Sequence, residues 1–129
     1  KMAFDHTDPT GTIAGAVAAI VNSNIKPKID SVLVFTETGY TARALAIYRL
    51  PIPIIAGTEN KYVAESLALS YGIHPVVINL PTGPFSSAES LIKQLLNQKL
   101  FSPGQTIVVV HGHHWQKAGN TNSLSILTL

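Results

Sequence analysis

Three threonine hydroxyls surround one glycine in the segment Thr36-Glu-Thr-Gly-Tyr-Thr41, which follows the apolar run from Val32 to Phe35. A helix is expected to begin where this turn ends, so hydroxyl and backbone N–H groups converge at a helix N-terminus, where the dipole favours anions. The glycine permits a tight turn and close backbone approach to a ligand. The pattern predicts a phosphate-binding turn, whose candidate residues are Thr36, Thr38, Gly39, Tyr40 and Thr41.

An ordinary helix start gives the same pattern. The turn matches neither a Walker loop nor a GxGxxG fingerprint, and a threonine cap is common at helix N-termini. Glu37 adds a negative charge, the turn contains no basic residue, and Arg43 follows one turn into the helix. The phosphate site and the simple cap therefore both stay open.

A second polar loop runs from His111 to Asn122. Its histidines suggest a metal, but this run holds no carboxylate or cysteine ligand, so hydrogen-bonding loop histidines are the better interpretation. Lys117 supplies a cation, Gly119 a flexible backbone and Asn120 an amide donor, which together suit a second phosphate. Trp115 is predicted either to cover a sugar face or to anchor the loop in the protein.

Strand and helix patterns alternate along the chain, which predicts an α/β domain with a mostly parallel sheet and helices on both faces. The last strand follows the fourth after a short loop, so we expect it to be an antiparallel edge strand with one solvated face. The predicted strands are 32–35, 53–57, 73–79, 106–110 and 123–129. The first two predicted helices are 13–21, after a cap at Thr10–Thr12, and 40–48. A third helix is predicted after a cap at Thr58–Asn60, with Val63, Leu67 and Tyr71 buried, and a fourth after Ser86, with Leu91, Ile92, Leu95 and Leu96 buried.

Ligands of open α/β sheets bind beyond the carboxyl ends of the strands, at the point where the strand order reverses. If the first and fourth strands are neighbours, as an order 3-2-1-4-5 makes them, both polar loops border one crevice. This arrangement would combine the two predicted phosphate sites.

Composition narrows the function classes. The 129 residues fit one domain, 1–129, and the absence of Cys excludes disulfides, thiolate metal sites and a Cys nucleophile. The net charge of +2 comes without a basic stripe, and the apolar stretch 13–21 is too short to span a bilayer, so neither nucleic acid nor membrane is an expected partner. The acids form no convincing catalytic pair, and the cytoplasm is the expected location. Because Met2 follows Lys1, we interpret the sequence as a piece of a longer protein.

Several segments match a known pattern in order: Thr36-Glu-Thr-Gly-Tyr-Thr-Ala-Arg-Ala44 with Tyr48-Arg49, Pro53-Ile-Ile-Ala-Gly-Thr-Glu-Asn60, Tyr71-Gly-Ile-His-Pro-Val76, Gly104 to Val110, and Gly112 with Gly119-Asn-Thr-Asn122. Through these segments the chain resembles the C-terminal domain of pyruvate kinase over residues 10–129. The resemblance implies a three-layer α/β/α domain with five strands in the order 3-2-1-4-5, the last antiparallel.

The resemblance also implies that this chain carries no catalytic residue and no cofactor. In the family, phosphoryl transfer from phosphoenolpyruvate to ADP, with Mg and K ions, takes place in a TIM barrel that these residues do not include. The C-terminal domain instead binds a sugar-phosphate activator such as fructose bisphosphate in many members, and it helps form the tetramer. An allosteric and assembly role in a homo-oligomer is implied, with an effector pocket at Thr36–Thr41 and Gly112–Asn122.

Two departures from the family pattern keep other functions open. Glu37 and Tyr40 flank the turn glycine where relatives have small or polar residues, and the second loop is rich in His rather than in Pro and Gly. One alternative is a purely structural, oligomerising domain with a degenerate pocket. Another is a small independent enzyme that acts on phosphate esters, with His113 as acid or base.

Overall fold

The computed structural model describes residues 9–24, 26–78, 96–97, 99–112 and 121–129. Helices and strands alternate along these residues, which confirms the predicted α/β class. The elements, in chain order, are α1 (Pro9–Val21), β1 (Ser31–Phe35), α2 (Tyr40–Ala46), β2 (Ile54–Thr58), α3 (Lys61–Leu67), β3 (Ile73–Val77), β4 (Thr106–Gly112) and β5 (Thr121–Thr128).

The five strands form one sheet in the order β3-β2-β1-β4-β5. β1 runs parallel to both β2 and β4, β2 runs parallel to β3, and β4 pairs with β5 in the antiparallel sense. The predicted order 3-2-1-4-5 and the antiparallel edge strand are confirmed. The direction in which strands are added reverses beside β1, so the switch point lies between β1 and β4.

β1 is buried along its whole length, because both of its faces pack against apolar side chains. One face of the sheet lies under α1, α2 and α3, where Val32 and Val34 of β1 are in one cluster with Leu45 and Leu67. Leu33 and Phe35 face the other way and pack with a second cluster, which includes Phe101. None of the described helices is both long enough and apolar enough to cross a membrane.

All three of these helices pack on the same face of the sheet. The fourth helix, predicted after Ser86, lies outside the described residues apart from residues 96–97, which are helical. The buried positions predicted at Leu91, Ile92 and Leu95 likewise lie outside them.

The third helix begins as predicted, because the Asn60 side chain caps it. Its Oδ1 accepts hydrogen bonds from the backbone N–H groups of Tyr62 (2.8 Å) and Val63 (3.3 Å). The predicted buried face is correct for Leu67 and wrong for Tyr71, whose side chain is 75% exposed. The helix ends at Leu67, so helical spacing no longer determines which way Tyr71 faces.

Several predicted boundaries are also wrong. α1 begins at Pro9, because a proline is well suited to the first helical position. The predicted cap residue Thr10 therefore lies inside the first turn, where it is buried. α2 ends at Ala46 rather than Tyr48, and Arg49 beyond it has a left-handed φ of 49°. β4 and β5 extend further than predicted because they pair with each other as far as Gly112 and Thr121.

The edge position predicted for the last strand is confirmed, and its one solvated face is confirmed only in part, since Ile126 and Thr128 are exposed. Leu124 packs against the cluster beneath the helices, and Leu127 packs against the cluster on the opposite face. β5 therefore contributes apolar side chains to both sides of the sheet.

Candidate functional site

The two polar loops begin at the same edge of the sheet. Val34 of β1 is in register with Val110 of β4, so Thr36 and Gly112 follow at equal distances along neighbouring parallel strands. Gly112 is in turn paired with Thr121 at the start of β5. Both ends of the second loop are thus fixed beside the first turn, as a shared crevice requires.

Four predicted site residues of the second loop, Trp115, Lys117, Gly119 and Asn120, lie outside the described residues, as does His113. His111, at the end of β4, is described and is buried. Within the described part of the chain, no three His, Asp or Glu side chains are close enough together to hold a metal ion.

Thr36 closes the first turn. Its backbone N–H donates to the carbonyl of Gly57 (2.9 Å), which continues the sheet by one bond, and its Oγ1 accepts the N–H of Gly39 (2.8 Å). Gly39 has φ 90° and ψ −5°, a left-handed conformation that glycine adopts without strain. The strand, turn and helix predicted around this glycine are confirmed.

The threonine hydroxyls of the turn have roles in the turn itself. Thr36 Oγ1 accepts the N–H of Gly39, and Thr38 Oγ1 accepts the N–H of Tyr40 (3.3 Å). A hydroxyl that accepts a hydrogen bond still has a proton to donate. Thr38 is exposed, whereas Thr36 and Thr41 are buried, so Thr38 is the hydroxyl best able to meet a ligand from solvent.

The side chain of Arg43, which lies one turn into α2, contacts this turn. Its guanidinium folds back: Nη1 donates to the carbonyl of Thr38 (3.2 Å), and Nη2 donates to Oγ of Ser66 on α3 (2.5 Å). The spacing of four residues from Gly39 was a usable signal, because residues at i and i+4 lie on one side of a helix. The turn consequently carries one cation, Arg43, and one exposed anion, Glu37.

The sheet order and the polar turn at its reversal point define an α/β domain with a topological switch point beside β1. The chain belongs to a family described as "Pyruvate kinase, alpha/beta domain", whose model matches residues 12–127. This match confirms the family indicated by the sequence motifs.

Pyruvate kinases from several organisms are similar to this chain. The protein from Dictyostelium discoideum is 35% identical over 119 residues, which cover 92% of this chain and 24% of that protein. The protein from Clostridium acetobutylicum is 33% identical over 101 residues, covering 75% of this chain and 20% of the relative. The protein from Agaricus bisporus is 30% identical over 131 residues, which cover 94% of this chain and 24% of that protein. The chain therefore spans about a quarter or less of the length of these relatives.

Proposed function

We propose that this chain is a regulatory and assembly domain of a pyruvate kinase-like protein of the cytoplasm, and that it binds a phosphorylated metabolite. The proposed pocket lies between the turn Thr36–Thr41 and the loop Gly112–Asn122. The observation that carries this proposal is the pairing of β1 with β4, since it brings the starts of both loops to one edge of the sheet. Catalysis, with Mg and K ions, would belong to another part of the parent protein, and this chain would need no cofactor.

The turn offers an anion two kinds of contact. The exposed Thr38 hydroxyl can donate its proton to a phosphate oxygen, and the helix dipole of α2 favours negative charge, whereas Thr36, Gly39 and Thr41 are buried within the turn. Glu37, Thr38 and Tyr40 are the members of the turn with solvent access. We propose a sugar bisphosphate because a second phosphate would be recognised by the neighbouring loop, whose sequence offers Lys117, Gly119 and Asn120 as candidate donors and Trp115 as a candidate aromatic face.

Glu37 should weaken anion binding, so we expect Glu37→Gln to raise the affinity for fructose bisphosphate about threefold. Two unit charges roughly 7 Å apart in water repel by about 0.6 kcal/mol, which corresponds to that factor. Titration calorimetry at low salt measures the change, and the gain should disappear at about 1 M salt. Glu65→Gln, at another exposed carboxylate that lies on α3, is the matched control and should leave the affinity unchanged.

The proposal itself is tested with the same titration. Thr38→Val keeps the shape of the side chain but removes the hydroxyl, and should weaken binding about tenfold because a hydrogen bond to a charged group is lost. No heat with fructose bisphosphate or related sugar phosphates would refute the proposed effector role. Unchanged binding by Thr38→Val would remove this turn from the site.

The assembly role is supported by the edge strand β5. Its eight residues include no charged side chain and no proline, and Ile126 is 50% exposed. Unprotected edge strands of this kind pair readily with another chain. The opposite edge strand, β3, is shorter and has Pro75 within it, which limits pairing there.

We expect the wild-type chain to form dimers through β5 and Ile126→Lys to weaken them at least about tenfold, because it places a charge in the interface. Light scattering coupled to gel filtration over a concentration series measures the dissociation constant. Val77→Lys on β3 is the matched control, since Val77 is similarly exposed (55%), and should leave the dimers intact. A strictly monomeric wild-type chain would contradict the assembly proposal.

A further inference from the structure

We infer that Arg43 is a positioning residue of the turn Thr36–Thr41, acting on the peptide group between Thr38 and Gly39. The inference rests on the proposed function, because it assigns this residue a role in the proposed phosphate site. Arg43 is not placed among the groups that touch the ligand. It acts through the turn.

Both ends of one peptide group are held. The carbonyl of Thr38 accepts a hydrogen bond from Arg43 Nη1 (3.2 Å), and the N–H of Gly39 donates to Thr36 Oγ1 (2.8 Å). These two polar groups belong to the same planar unit, so the two contacts fix the orientation of its plane. The backbone N–H of Arg43 donates to the carbonyl of Gly39 (3.0 Å), which belongs to the next peptide group and begins α2.

The guanidinium is itself held in place. Its second nitrogen, Nη2, donates to Ser66 Oγ on α3, which lies 23 residues further along the chain. The side chain also lies directly against the glycine, since a Cβ built on Gly39 would be 2.7 Å from Nη1. A planar fork with several N–H donors can bridge two acceptors in this way, whereas the single ammonium of lysine has no fixed fork geometry.

The sheet topology indicates the side from which Arg43 acts. α3 packs over β2 and β3, whereas the loop that starts at Gly112 follows β4 on the other side of β1. Ser66 therefore holds the guanidinium on the side of the turn that faces away from the proposed crevice. This placement explains why Arg43 can set the position of Thr38 and Gly39 without occupying the ligand's place.

The test uses the full chain with Ser66→Ala and Arg43→Lys. In both variants we expect amide hydrogen exchange at Gly39, measured by NMR, to become about tenfold faster, because the hydrogen bond from the residue at position 43 to the Thr38 carbonyl is weakened or lost. The amide of Leu45, inside α2, should exchange at its wild-type rate. Affinity for fructose bisphosphate should fall about fivefold, with urea unfolding showing that the fold is retained.

Arg49→Lys is the matched control, because the Arg49 guanidinium lies over the Tyr71 ring, 5.4 Å from its centre, rather than at the Thr38 carbonyl. It should change neither the exchange rate of the Gly39 amide nor the affinity for fructose bisphosphate. Unchanged Gly39 exchange in both test variants overturns the inference, as does unchanged affinity alongside faster exchange. If the wild-type chain binds no sugar phosphate, the proposed function fails, and Gly39 exchange alone then decides whether Arg43 holds the turn. If Arg43→Lys does not fold, Ser66→Ala decides, since it removes a single exposed hydroxyl.

Discussion

Gly39→Ala is expected to lower the free energy of unfolding by about 2–4 kcal/mol and to weaken sugar-phosphate binding at least as much as Arg43→Lys, about fivefold. Gly39 has a φ of 90°, and an L-residue in this left-handed region pays about 1–2 kcal/mol. The new methyl group would also lie 2.7 Å from Arg43 Nη1 and 3.2 Å from Leu67 Cδ2. The guanidinium must then shift, and weakening of its hydrogen bonds to the Thr38 carbonyl and Ser66 Oγ adds up to about 1–2 kcal/mol.

Gly72→Ala is the matched control for this experiment. Gly72 has a similar φ of 78°, but a Cβ there would meet nothing within 4 Å. It should therefore cost only the backbone strain of about 1–2 kcal/mol and leave binding intact. Urea unfolding gives both free energies, and calorimetry gives the affinities. Equal destabilisation by the two variants would show that the packing against Arg43 contributes nothing.

Leu67→Ala is expected to cost about 2–5 kcal/mol of stability, because it opens a cavity in the core. Leu67 is the last residue of α3, is 0% exposed, and packs in one cluster with Ile54 and Ile73 beneath the helices. A Cβ on Gly39 would lie 3.2 Å from Leu67 Cδ2, so this cavity would extend beneath the proposed phosphate turn.

Leu69→Ala makes the same chemical change two residues further along the chain, where the side chain is 90% exposed. Its effect should be within about 0.5 kcal/mol, as is usual for surface substitutions. Urea unfolding of the two variants in parallel separates burial from residue type. Comparable losses in both variants would contradict the packing described for α3.

Much of the fold could be predicted because its signals are local. The continuous apolar runs that became β1 and β4 are typical of strands buried on both faces, and Asn60 before Lys61 marks a helix start through its own side chain. The turn at Gly39 is also a local signal, since it is closed by Thr36 Oγ1, only three residues away in the sequence. Short-range bonds of this kind depend on spacing, and spacing can be read from the sequence.

By itself, the sequence determined the alternation of helix and strand, the helix cap at Asn60 and the glycine turn after β1, because each depends on neighbours along the chain. Only the tertiary structure decided that Tyr71 is exposed, that β5 packs on both faces, and that Arg43 reaches Ser66. Each of these features depends on how segments that are distant in the sequence pack against one another. The adjacency of β1 and β4 lies between these two cases. The sequence predicted it only if the strand order 3-2-1-4-5 was assumed, and the hydrogen bonds between the strands established that order.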